Sequence, residues 1–199
     1  MRFLAGLVHA AVASQVVFDS HDPLLPADRK GNMGSFGEYV SKYRQAAVRF
    51  RSPKAVDDAC IEGPTIKNVT FTMDTVDVPP NTCLRVALCP SVNDMPDCTK
   101  SGGAELVSIS QLRQQRVKLH WIPSSTIVLD PSTLYWITVS STAEAPNAPI
   151  WLAGTKEFNT IDDPKGDVLA LFTKSQDAPR NGINLGSNRE VFSMQVNAD

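Results

Sequence analysis

Side chains that commonly carry catalysis are scarce in this chain. Its 199 residues include three histidines and four cysteines, and Lys plus Arg at 19 nearly balance Asp plus Glu at 21. No G-x-S-x-G elbow is present, so the usual nucleophile geometry of an α/β-hydrolase is excluded. No C-x-x-C pair occurs and no histidine lies near the cysteines, which argues against a structural zinc site. There is no basic stripe of the kind nucleic-acid binding requires. Nothing approaches the roughly 20 consecutive apolar residues of a membrane span. The end of the chain, REVFSMQVNAD, is too short and polar for a lipid-anchor signal. These absences predict no cofactor, no nucleic-acid partner and no membrane anchor.

What the chain does have begins at its first residue. MRFLAGLVHAAVASQ places Arg2 before the apolar run Phe3–Ala13, and Ala11-Val12-Ala13 supplies the small-x-small pattern of a signal-peptidase site. His9 weakens the run, and a buried N-terminal strand is the competing reading. The pattern predicts a signal peptide over 1–13 and one domain over 14–199, hence a secreted, extracellular protein. Losing Arg2 leaves 18 basic residues against 21 acidic ones, a formal charge of −3.

Cys60, Cys83, Cys89 and Cys98 are even in number and clustered. In an exported chain this reads as two disulfides. Spacing alone leaves three pairings open. The turn-rich PSVNDMPD between Cys89 and Cys98 favours closing that loop, with Cys60–Cys83 as the second pair.

Beyond residue 45 helical periodicity is almost absent, and short alternating runs recur between turn clusters. They include VVFD (16–19), AAVRFRS (46–52), TIKNVTFTM (65–73), CLRVALC (83–89), AELVSIS (104–110), QRVKLHW (115–121) and STIVL (125–129). TLYWITVSS (133–141), PIWLAGT (149–155), VLALFTK (168–174) and EVFSMQV (190–196) follow. Leu84, Val86 and Leu88 share one face; Val69, Phe71 and Met73 mark the core side of another strand. Residues 19–45 read as loop, with GEYVSKYR offering a turn or two of helix. The predicted fold is all-β: an antiparallel two-sheet β-sandwich of roughly ten strands, jelly-roll-like, behind a loop-rich N-terminal segment.

LDPSTLYWITVSST (129–142) runs from a Pro-anchored turn into two adjacent aromatics. Joined to 149–155 by TAEAPNA, it predicts an antiparallel hairpin with Trp136 opposite Trp151. Two readings follow. Trp136 and Trp151, with Trp121, form a platform on which sugar rings stack, or the indoles seal the core, as tryptophan usually does. AAVRFRSP, IKNVTFTM, LRVALC, LVSIS, VKLHW, IVLDPSTLYWITVSS and PIWLAG together resemble the choice-of-anchor R domain over residues 46–173. Leu129–Ser140 is the closest match. The resemblance implies an extracellular β-sandwich, normally tethered to a surface, with no established catalytic residues. This chain departs from it by lacking an anchor and by adding the cysteine cluster.

The remaining motifs are local. Asn68-Val69-Thr70 is an N-glycosylation sequon in an exported chain. NTIDDPKGD (159–167) gathers Asp162, Asp163 and Asp167 around a turn. Calcium is one reading of that cluster, although the spacing is not that of an EF-hand, and a plain turn is the other. Six glutamates are scattered without the paired pattern of a glycosidase. His120 alternates with Leu119 and Trp121 and reads as a strand-face residue rather than a base. The sequence thus points to a secreted non-enzymatic protein that binds a carbohydrate or other cell-surface component through a sheet face or end loops. A structural or effector protein binding a protein partner is the alternative, and a glycoside hydrolase the third reading. Oligomeric state is open.

Overall fold

A computed structural model describes residues 14–21, 37–54, 63–101, 103–109, 113–157, 168, 170–175, 182–184 and 190–199. The predicted signal peptide (1–13), Cys60 and the acidic turn with Asp162, Asp163 and Asp167 lie outside the described residues. Those described form an all-β molecule of two antiparallel sheets.

The strands are β1 (Gln15–Asp19), β2 (Gly37–Tyr39), β3 (Arg44–Arg51), β4 (Ile66–Asp74), β5 (Cys83–Val92), β6 (Met95–Pro96) and β7 (Glu105–Ser108). After these come β8 (Val117–Trp121), β9 (Leu134–Ser141), β10 (Ile150–Glu157), β11 (Ala170–Ser175), β12 (Gly182–Asn184), β13 (Glu190–Phe192) and β14 (Met194–Ala198). The first sheet runs β1-β14-β4-β10-β13, with β8 on β4 and β2 on β10; the second runs β12-β11-β3-β9-β5-β6, with β7 on β5.

Between the sheets lies the core that the period of two predicts. Val69, Phe71 and Met73 of β4 are buried, as are Leu84, Val86 and Leu88 of β5. Each row continues across its sheet: Phe18, Val196, Val69 and Trp121 are successive cross-strand partners. Ile66 also points inward although Lys67 does not, because the β4–β14 register slips between Asn197 and Ala198. Such a bulge adds one residue and restores the apolar side.

Three expectations need correction. STIVL (125–129) forms no strand, Val128 making only an isolated bridge with Thr65. GEYVSKYR contains no helical turn: Gly37–Tyr39 is a strand paired with β10. The predicted hairpin of 133–141 with 149–155 does not form either. β9 lies between β3 and β5 in the second sheet, whereas β10 belongs to the first. Trp136 therefore faces Arg49 and Cys89, while Trp151 faces Met73 and Glu38. Residues 142–149 cross from one sheet to the other at the end of the sandwich. Pro146 and Pro149 deprive this segment of amide hydrogens that a ladder would need, and Ala143 and Ala148 are buried along it.

Candidate functional site

The three tryptophans form no stacking platform. Trp136 and Trp151 are 0% exposed and Trp121 is 3% exposed, so none offers a ring face to a ligand. Their polar edges are satisfied internally, as burial demands. Trp151 stacks on Phe192 at 4.9 Å, meets Phe71 edge-on at 5.5 Å and donates from Nε1 to the Ser193 carbonyl at 2.8 Å. Trp121 donates to Glu105 Oε2 at 2.9 Å, and Trp136 to Ser91 Oγ at 3.0 Å. The Tyr135 hydroxyl, beside Trp136, accepts from the Asp130 amide at 2.9 Å and so pins the turn before β9. Burial is the main cause that raises the Tyr135 phenol above its ordinary value, with the Asp130 carboxylate adding to it.

Trp136 lies on the outer face of the second sheet, beside the segment 90–101, to which its Nε1 is bonded through Ser91. Cys89 and Cys98 are joined, with Cα atoms 4.7 Å apart, as the loop spacing suggests. Cys83 opens β5 and makes no disulfide among the described residues. Inside the stapled segment, Ser91 pairs with Pro96 and Val92 with Met95, leaving Asn93 and Asp94 as a two-residue turn. Both have positive φ, 50° and 61°, the requirement of a type I′ hairpin. From that turn Asp94 reaches the buried Arg49 at 2.6 Å, and the Arg49 guanidinium lies 5.5 Å from the Trp136 ring. Arg49 also donates to the Val168 carbonyl at 2.8 Å. Asp97 caps the 3-10 turn Cys98–Lys100 at the end of this flap. Its carboxyl is held below the ordinary value chiefly by the Thr99 hydroxyl, against the opposing effect of desolvation.

The outer face of the first sheet carries a polar array. Asp19, Gln195, Thr70 and His120 are successive partners across four strands, and Asn197 faces Asn68 in the next row. Gln195 Nε2 donates to Asp19 Oδ2 at 2.9 Å; Asn197 Nδ2 lies 3.3 Å from Gln195 Oε1 and 2.9 Å from Asn68 Oδ1. Thr70 Oγ1 is 3.0 Å from His120 Nδ1, and Thr72 Oγ1 is 3.2 Å from His21 Nδ1. The exposed His120 thus serves as a strand-face partner.

A concave site among the described residues lies at the end of the sandwich. A groove of about 480 Å³ is lined by Pro79, Pro80, Asn81, Thr82, Thr142, Ala143, Glu144, Ala145 and Asn147. One wall is the turn after β4, closed by Thr82 Oγ1 donating to the Pro79 carbonyl at 2.8 Å. The other is the crossover from β9 to β10. Two bonds tie the walls together: Cys83 N donates to Thr142 Oγ1 at 3.0 Å, and Thr142 N to the Cys83 carbonyl at 2.9 Å. Glu144 is steadied by the Tyr43 hydroxyl at 3.4 Å and by Lys42 Nζ at 3.8 Å. The sequence shows these residues only as two turn clusters, VDVPPNT and TAEAPNA. Their meeting 60 positions apart in the chain has no local signature.

Family models, curated proteins and solved structures were each compared with this chain, and none matches.

Proposed function

We propose that this is a secreted, non-catalytic glycoprotein that recognises a carbohydrate or other cell-surface component through the end groove. The groove supports this reading because it is concave, tied together at its base and edged by a few convergent polar groups. Its volume is within the roughly 300–1,000 Å³ common for small-ligand sites. Glu144 and Asn147, with Thr142, present acceptors and donors at neighbouring positions, as vicinal sugar hydroxyls require. Tyr43, 37% exposed, stands beside Glu144 and is the aromatic nearest this rim among the residues named. Kinship with the choice-of-anchor R domains is part of the proposal and fits a surface-directed role.

A glycan array probed with the full chain tests it. Binding to at least one glycan class is expected, with Glu144→Gln and Asn147→Ala each weakening it about tenfold, the worth of one good polar contact. Absence of binding to any glycan or polysaccharide sinks this reading. A second reading rests on β7, which among the described residues pairs only with β5 and exposes 64% of Leu106. Strand addition by a protein partner would use that edge, and it predicts a stable complex or oligomer on sizing.

A further inference from the structure

Resting on the secretory reading above, we infer that Asn68 carries an N-linked glycan attached before β14 docks, and that the polar outer face of the first sheet is arranged to bear it. The Asn68-Val69-Thr70 sequon is only the start of the argument.

The hydrogen-bond relay on this face has a fixed direction. An ionised carboxylate only accepts, so Gln195 must turn its NH₂ to Asp19, where the separation is 2.9 Å. Its Oε1 then faces the Asn197 NH₂, and that same nitrogen meets Asn68 Oδ1 at 2.9 Å. Asn68 therefore gives its oxygen to the relay and turns Nδ2 away from Asn197. Nδ2 is the atom a glycan uses. In the transfer, the Nδ2 lone pair forms the bond to the anomeric carbon of a lipid-linked oligosaccharide pyrophosphate. The anomeric C–O bond breaks with its electrons leaving on the pyrophosphate, and one amide proton passes to a base of the transferase. The product keeps the amide oxygen and one N–H, so every relay contact survives conjugation.

Timing follows from topology. A transferase must reach both Asn68 and the hydroxyl of Thr70. In the folded sheet Thr70 is 5% exposed and its hydroxyl contacts His120. β4 is flanked there by β8 on one side and β14 on the other. The partner of Asn68 on β14, Asn197, lies 129 positions later in the chain. Until those residues are made, this side of β4 is uncovered. Once they pair, the acceptor is closed. The groove lies beyond the other end of β4, after Asp74, so a glycan at Asn68 leaves it open.

The test places the full chain behind a host export leader in eukaryotic cells, so that entry does not depend on residues 1–13. Intact mass and peptide mapping should find Asn68 conjugated and converted to Asp when the glycan is removed by an amidase. Asn68→Gln should abolish the modification and Thr70→Ser should preserve it. Bacterially produced chain offered to purified oligosaccharyl transferase should be modified at least tenfold faster when unfolded in urea than when folded. A folded, secreted chain with bare Asn68, or equal modification of the folded and unfolded acceptors, overturns the inference. Glycan-array binding by Asn68→Gln is read separately, so failure here is distinguishable from failure of the groove.

Discussion

Glu105 joins the two sheets through one carboxylate. It sits on β7 of the second sheet, yet Oε2 accepts from Trp121 of the first at 2.9 Å, and Oε1 accepts from the Ser124 amide and hydroxyl at 3.0 and 2.8 Å. Desolvation is the largest single influence and opposes ionisation, but the bonds from Trp121 and Ser124 together outweigh it and hold the carboxyl below its ordinary value. A depressed carboxyl contributes stability that is complete above its unfolded pKa, about 4.3, and is lost as pH falls through the lower folded value. Urea midpoints measured between pH 6 and 3 should therefore fall toward acid, and Glu105→Gln should flatten that dependence, since Gln carries no charge to lose. Gly154 makes a different kind of demand. A Cβ there would collide with the Ser20 carbonyl and press on the Ser193 backbone, which is how closely β10 is approached. Gly154→Ala should cost about 1–3 kcal/mol through overpacking, read as a lower denaturant midpoint with an unchanged slope.

Among the elements, the stapled flap over β9 has the clearest dependence on one bond. Its ends are nine positions apart, and closing so short a loop restrains the unfolded chain by roughly 2–3 kcal/mol. The flap also meets Arg49 through Asp94 and Trp136 through Ser91. Reduction, or the double change Cys89→Ala with Cys98→Ala, should lower the unfolding free energy by about that amount. Tryptophan emission should shift to the red as Trp136 gains water, while Trp121 and Trp151 stay in the inter-sheet core. An unshifted spectrum after complete reduction would show that the covering does not depend on the disulfide. The Asp94–Arg49 pair alone holds the flap less firmly, because Asp94 is 59% exposed and solvent screens it.

At the scale of the whole molecule, what could be read in advance divides along a physical line. Alternation in 66–73 and 83–89 reports which side of a strand is buried, and the structure agrees at Val69, Phe71, Met73, Leu84, Val86 and Leu88. Alternation cannot report which sheet a strand joins. β9 and β10 are apolar on both faces, so a hairpin between them was as consistent with their residues as the crossover that exists. The surroundings of Trp136 were illegible for the same reason, because its partners Ser91 and Arg49 come from different parts of the chain. Cys89–Cys98 was legible because loop closure is local. The type I′ turn at Asn93–Asp94 was legible in principle, since Asn and Asp tolerate positive φ, but the segment read only as loop. The end groove was out of reach, being assembled from turns that meet only when both sheets are built.

The pairing of β1 with β14, Gln15 opposite Ala198, makes the molecule nearly a closed ring in sequence order. In a version cut to residues 14–199, a linker of a few residues could join Asp199 to Ser14, and new ends could be opened at an exposed turn without removing a strand from either sheet. By the same token the sandwich could be spliced as a module into a surface loop of another protein, its entry and exit side by side and the groove still accessible.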